Sequence, residues 1–223
     1  MASSFRLLLV RHGQTHGNVS GALDTGEPGK DLTDLGRAQA EAAAQALAEH
    51  DLDGLYVSRL VRTQQTADPL ARIRTMAPAV RAGLEEVRAG AFEMRSDDEA
   101  VLGYLTTVAE WIGGNLDVRM PGAESGREFL ARYDAALAQI AAQAHRSAVV
   151  VSHGAAIRTW VSRRVRDAEQ HPAAMQSLHN TACNPVEGHP DTGWELVDWQ
   201  HEPIGGRFLE DDDAPDPTAG GEE

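Results

Sequence analysis

Residues 6–13 read Arg-Leu-Leu-Leu-Val-Arg-His-Gly, and residues 148–154 read Ala-Val-Val-Val-Ser-His-Gly. Each is an apolar run too short for a helix and the right length for a strand buried on both faces. Each ends at His-Gly. In open sheets of parallel strands, ligands sit at the carboxyl ends of the strands. The repeated ending therefore points to two imidazoles, His12 and His153, converging on one pocket.

Outward from these runs, short strands alternate with helices. Thr33 is placed to cap a helix over Asp34–His50, Leu55–Val57 is strand-sized, and Leu60–Met76 reads as helix, stopped before Pro78. Two more helices are predicted over Asp97–Trp111 and Glu124–Ala144, and another follows Gly154 to about Arg166. Thr181–Glu187 and Trp194–Trp199, joined by Gly188-His189-Pro190-Asp191-Thr192-Gly193, predict a closing hairpin. The alternation is that of an α/β sandwich with a largely parallel sheet.

At 223 residues, 42% apolar and 24% charged, the chain suits one globular domain over about residues 1–208. A small helical cap is expected near 92–125. No apolar run reaches the roughly 20 residues of a membrane span. The first residues lack the pattern of a signal peptide, and the lone Cys183 suits a reducing compartment, so a cytoplasmic setting is expected. The net charge of −14 argues against nucleic acid or anionic lipid as partner. Half of it falls after Arg207, on Glu210, Asp211, Asp212, Asp213, Asp216, Glu222 and Glu223. With prolines and glycines between them, residues 209–223 read as a solvated, disordered acidic tail.

A histidine nucleophile needs one nitrogen unprotonated and aimed outward, with the other N–H held by an acceptor such as a backbone carbonyl. Arg11 adds a planar fork suited to phosphoryl oxygens, and Gly13 admits close approach. Taken alone the Arg-His-Gly triplet is weak, and His12 could merely cap a strand. His179 and Cys183 lie four apart where a strand is predicted to start, without a third ligand, which predicts no metal site. Neither a Walker pattern nor GxGxxG is present.

The wider pattern resembles the histidine phosphatase superfamily, the phosphoglycerate-mutase-like proteins. LLLVRHGQTHGN (7–18) resembles the family signature, and LTDLGRAQA (32–40) and VSRLVRTQQTA (57–67) follow in register. LEEVRAGAFE (84–93), MPGAESGREFLARY (120–133), VVVSHGAAIR (149–158) and NTACNPVE (180–187) complete the set in family order. The resemblance implies a three-layer αβα sandwich of the phosphoglycerate mutase type. It implies His12 as nucleophile, Arg11, Arg62 and His153 as holders of the phosphoryl oxygens, and Glu86 as proton donor, with neighbouring Glu85 as competitor. Asn18, Gly13, Thr15 and Gly154 are assigned to substrate binding. No cofactor or metal is expected, because clustered cations can compensate the charge of phosphoryl transfer.

The cofactor-dependent mutases of this family carry a long insertion with paired arginines between the acid and the second histidine. Here 66 residues separate Glu86 from His153 and contain no paired basic element. This favours a phosphomonoesterase acting on a small-molecule phosphate ester. The alternatives are mutase-type phosphoryl transfer and a non-catalytic binder of phosphorylated ligands. Met94, Leu102, Tyr104, Leu105 and Trp111 either line the pocket or form ordinary core. At Ala91-Phe92-Glu93-Met94 the chain departs from the family, which often carries tryptophan and then Glu-Gly. A homodimer through an exposed hairpin edge is a further expectation.

Overall fold

A computed structural model describes residues 5–143, 146–166, 168, 177–211 and 213–220. Seven strands form one sheet: β1 (Phe5–Arg11), β2 (Gly54–Val57), β3 (Ala79–Val80), β4 (Ser147–Ser152), β5 (Val165–Arg166), β6 (Cys183–His189) and β7 (Gly193–Leu196). Their order is β3-β2-β4-β1-β6-β7-β5. The pairs β2–β3, β2–β4, β1–β4 and β5–β7 are parallel, whereas β6 runs antiparallel to β1 and β7. The sheet is mostly parallel, with the predicted hairpin at one side.

Alternation along the central strands divides the core in two. Leu8, Val10, Val149, Val151 and Val57 pack with Ala44 and Leu47 of α2 (Asp34–Leu47) and Leu70 of α3 (Val61–Arg74). Leu7, Leu9, Ala148 and Val150 face the other way. They meet α4 (Asp98–Ile112), α5 (Gly126–Ala141) and α6 (Gly154–Arg164) through Trp111, Phe129, Tyr133 and Trp160. Those aromatic rings form a chain with centroids 5.7–6.0 Å apart, where each buries roughly 150–250 Å². A helix layer on each face makes the three-layer sandwich.

Local signals set the helix starts. Thr33, Asp97 and Ser125 each accept the N–H of a residue in the first turn, as helix N-caps do. The helix predicted to Ala144 ends at Ala141, and Ala144 itself lies outside the described residues. Of the cap-region side chains, Tyr104 and Trp111 are core, whereas Met94 and Leu102 are exposed. The helix after Gly154 stops at Arg164, because Val165–Arg166 pairs with β7 as β5. That pairing covers part of the hairpin edge expected to be open.

The acidic tail is where the structure differs most from the sequence reading. Its described residues, 209–211 and 213–220, fold back on the body, burying Leu209, Thr218 and Ala219. Asp212 and residues 221–223 lie outside the described part.

Candidate active site

β1 and β4 are paired in register, Val10 beside Val151 and Arg11 beside Ser152. Their tips therefore end level. The His12 N–H donates to the Ser152 carbonyl, and the two imidazoles sit edge to face with ring centroids 5.2 Å apart. His12, His153, Arg11, Arg62 and Glu86 are each 2% exposed or less.

The two rings are held by opposite nitrogens. His12 Nδ1 lies 2.7 Å from the Gly13 carbonyl, so its proton sits there and Nε2 is left for attack. His153 uses Nε2, 2.8 Å from the Ser58 hydroxyl, while its buried Nδ1 has no protein partner. Burial and then the Arg62 charge hold both imidazoles well below the ordinary histidine pKa, so both are neutral near pH 7. A neutral His12 is the nucleophilic form.

Arg62 enters from the first turn of α3. Its Nη2 donates to the Asp24 carbonyl at 3.0 Å, and Nη1 lies 3.6 Å from the Asp24 carboxylate. Nε and Nη1 of Arg62, like Nε of Arg11, are buried donors without a protein hydrogen bond. Buried guanidinium N–H groups need acceptors, and a phosphoryl group carries three oxygens that accept. The opposite face of Arg11 is occupied: Nη1 donates to the Leu178 carbonyl at 2.5 Å, and Nη2 to Asp216 and Thr218 of the tail.

Glu86 hangs over the first turn of α6. Its carboxyl group accepts the Val87 and Ala156 N–H groups at 2.8 Å and that of Ala155 at 3.3 Å. Burial raises its pKa, and these N–H groups together with Arg62 and Arg11 offset only part of the rise. Glu85 is different. Burial would raise it too, but the Arg59 hydrogen bond at 2.7 Å and the Gly83 N–H outweigh that and leave it lowered. A raised carboxyl suits a proton donor, and a salt-bridged one does not.

The remaining motif residues build the frame. Thr15 caps α1 (His16–Ser20) in a reciprocal box with Asn18, which occupies the Asn18 Oδ1 and leaves its amide N–H₂ outside the box. The Gly13 N–H donates to Thr66, and a Cβ there would lie 2.6 Å from the Gly36 carbonyl oxygen. Gly154 opens α6, where a Cβ would meet Arg11 Nε at 3.0 Å. His16 is exposed, and Arg59 pairs with Glu85 and Glu27.

Several residues that hold the site receive no role from the sequence. Arg132 donates to the Gly83, Glu85 and Glu86 carbonyls at 2.7–2.9 Å while pairing with Glu124, and so pins the acid loop. Asn180 donates to the His12 carbonyl at 3.0 Å, and Thr181, a β-branched residue at φ 60°, donates its N–H to the Arg11 carbonyl at 3.1 Å. Arg132, Asn180 and Thr181 lie within quoted motifs, but only the structure shows their targets. Ser58 and Asp24 are likewise found by contact.

Among the described residues, no cluster of three or more His, Cys, Asp or Glu side chains is placed to hold a metal ion. The His179 and Cys183 pair is split: His179 Nδ1 lies 2.6 Å from Glu210, and Cys183 is buried in β6. No described helix is long and apolar enough to cross a membrane.

The family model for the histidine phosphatase superfamily (branch 1) matches residues 7–202. The chain belongs to that superfamily. Among relatives of this histidine phosphatase, the PE-PGRS family protein PE_PGRS11 of Mycobacterium tuberculosis is 38% identical over 212 residues. That match takes in 88% of this chain and 36% of the relative, so the chain spans about a third of that protein's length. A probable phosphoglycerate mutase, GpmB, of Yersinia pestis is 27% identical over 90% of this chain and 92% of its own. Among solved structures, a mycobacterial glucosyl-3-phosphoglycerate phosphatase in complex with VO3 superposes with a TM-score of 0.73. It is 26% identical and covers 87% of this chain and 98% of its own.

Proposed function

We propose that the protein is a metal-independent phosphomonoesterase that hydrolyses a small-molecule phosphate ester in the cytoplasm. The observation that carries this reading is the neutral, buried His12, its Nδ1 on a backbone carbonyl, set among buried nitrogens of Arg11, Arg62 and His153 that have no protein hydrogen bond. His12 Nε2 attacks phosphorus as the ester P–O bond breaks, and Glu86 gives its proton to the leaving oxygen. Water then attacks the phosphohistidine and the P–N bond breaks. Glu86 takes the proton from that water and is ready again. The donors stabilise charge on the phosphoryl oxygens throughout.

Hydrolysis rather than mutase transfer is favoured by the state of the intervening arginines. Five of the six arginines between Glu86 and His153, namely Arg95, Arg119, Arg127, Arg132 and Arg146, each already pair with a carboxylate, and the sixth, Arg88, has no basic neighbour in sequence with which to form a paired grip. A cavity of about 270 Å³, lined by Thr25, Glu27, Glu85 and Arg88 among others, lies beside the acid loop and is proposed to take the leaving group. Another cavity, about 350 Å³, lies beyond Arg11 against the tail, on the side away from the acid loop; His12, Arg62, Glu86 and His153 line neither of the two.

The test is phosphate release from a panel of phosphomonoesters in excess EDTA. Wild type should turn over, and His12→Ala should lose about four orders of magnitude or more. Release that requires added metal, or that survives in His12→Ala, would sink the proposal.

A further inference from the structure

Arg11 is fully buried, and its charge is met from outside the region that the family model matches. Nη2 donates to the Asp216 carboxylate at 2.5 Å and to the Thr218 hydroxyl at 3.0 Å. The other Asp216 oxygen accepts the Thr218 N–H at 3.1 Å and its hydroxyl at 3.0 Å, so the carboxylate is itself fixed by a turn of the tail. We infer that Asp216 is a positioning residue. It anchors the outer edge of the Arg11 guanidinium, through which the C-terminal segment aims Arg11 Nε at the phosphoryl group. The inference rests on the phosphatase reading above and deepens it.

The tail is attached in two places along its length, one near its start and one near its end. Upstream, Gln14 donates to Asp211 at 2.6 Å and Gln39 donates to the Leu209 carbonyl at 2.7 Å. Downstream, the Leu178 N–H donates to the Ala219 carbonyl at 2.9 Å, and the Leu178 carbonyl accepts Arg11 Nη1. Gly220, at φ 114°, leaves no room for a Cβ against the Arg158 guanidinium of α6. The described tail residues thus act as a strap whose acidic side chain completes a buried ion pair.

Two features favour positioning over blockade. Among the described residues, no hydrogen bond or ion pair links the tail to His12, Arg62, Glu86 or His153. Asp216 also holds Nη2, whereas Nε, beside the start of α6, stays without a protein partner. A planar guanidinium whose two Nη atoms are tied presents its remaining Nε–H in a set direction, and that direction is lost when the anchor is removed. Without Asp216, the charge of Arg11 remains but its aim is lost.

The experiment measures inorganic phosphate affinity by calorimetry and kcat and KM on the best panel ester. It uses the full chain and its Asp216→Asn, Asp216→Glu, Thr218→Val, Arg11→Ala and Arg11→Ala/Asp216→Asn variants. Asp216→Asn should weaken phosphate and raise KM about tenfold with kcat changed less than about threefold, and Asp216→Glu should restore part of the loss. Thr218→Val keeps both charges and should weaken phosphate about threefold, and it decides the matter if Asp216→Asn does not fold. The double variant should bind phosphate no more weakly than Arg11→Ala alone.

Unchanged or tighter phosphate binding in Asp216→Asn would overturn the inference, the tail then being idle or a competing anion. The same loss from Asp216→Asn with and without Arg11 would overturn it too. Wild type that binds phosphate without turning over any ester sinks only the hydrolytic reading. Wild type that binds no phosphate overturns both.

Discussion

The tips of β1 and β4 end in the same His-Gly pair, yet the chain leaves them differently. After His12 it runs through a loop into the five-residue α1, and the neighbouring carbonyl of Gly13 takes the imidazole Nδ1. After His153 it enters the eleven-residue α6 at once, and the ring is held from another element by Ser58. The opening N–H groups of α6, at Ala155 and Ala156, hold Glu86 instead. A helix N-terminus favours negative charge, so the β4 tip can hold Glu86 in its ionised form as well as His153. The β1 tip bears His12, the proposed nucleophile. Identical dipeptides thus acquire different chemistry from the nitrogen that is tied and from the element that the glycine leads into.

The sharpest break of this contrast is Glu86→Gln. The amide keeps the shape and loses the proton, so kcat/KM for an alkyl phosphate should fall about 10²–10⁴-fold. An aryl phosphate, whose leaving group needs no proton, should lose far less. The pH profile carries the sign. Wild-type activity should fall as pH rises through the raised pKa of Glu86, because the acid is then spent. It should fall again as pH drops below the lowered pKa of His12, which lies under the ordinary 6.5. Glu86→Gln should lack the alkaline limb. An unchanged limb would assign the acid elsewhere.

Next in size is Ser58→Ala, which frees the tied nitrogen of His153 and leaves His12 untouched. With the ring unanchored, kcat/KM should drop about tenfold, the worth of one buried hydrogen bond. Formation of phosphohistidine on His12, followed by phosphorus NMR, should persist. If Ser58→Ala stopped that step entirely, the two tips would not divide the work as described.

How much of the fold and the site was readable from the chain depends on where each signal resides. Leu7–Val10 and Ala148–Val151 announce buried strands because two-sided burial demands continuous apolar side chains, and the His-Gly endings travel with them. Only motif register distinguishes Glu86 from Glu85 in the sequence; Arg59 on Glu85 and the α6 N–H groups on Glu86 separate them physically. β5 was unreadable, since Val165–Arg166 becomes a strand only by meeting β7. Ser58 lies inside the quoted stretch VSRLVRTQQTA, but its role exists only across the sheet, where it meets His153. The tail misled for a physical reason. Its acids and prolines describe a solvated segment, but a buried Arg11 requires a counter-charge, and nothing in the local composition shows that Asp216 supplies it.

The smallest effect probes the seam between the two sides of the pocket. Loop 22–26, after α1, is stitched to the acid loop. The Leu23 N–H donates to the Arg95 carbonyl at 2.9 Å, the Met94 N–H to the Leu23 carbonyl at 3.0 Å, and the Ala89 N–H to the Thr25 hydroxyl at 2.9 Å. Met94 makes this seam at φ 63°, the left-handed region that glycine occupies without a steric penalty, and it stands where the family often has glycine. Its side chain is 47% exposed, so little packing would be lost. Met94→Gly should therefore raise stability by about 0.5–1 kcal/mol, read as a Tm increase of about 1–4 °C, with kcat and KM unchanged. A fall in Tm would show instead that the Met94 side chain holds the acid loop against the nucleophile's side of the pocket.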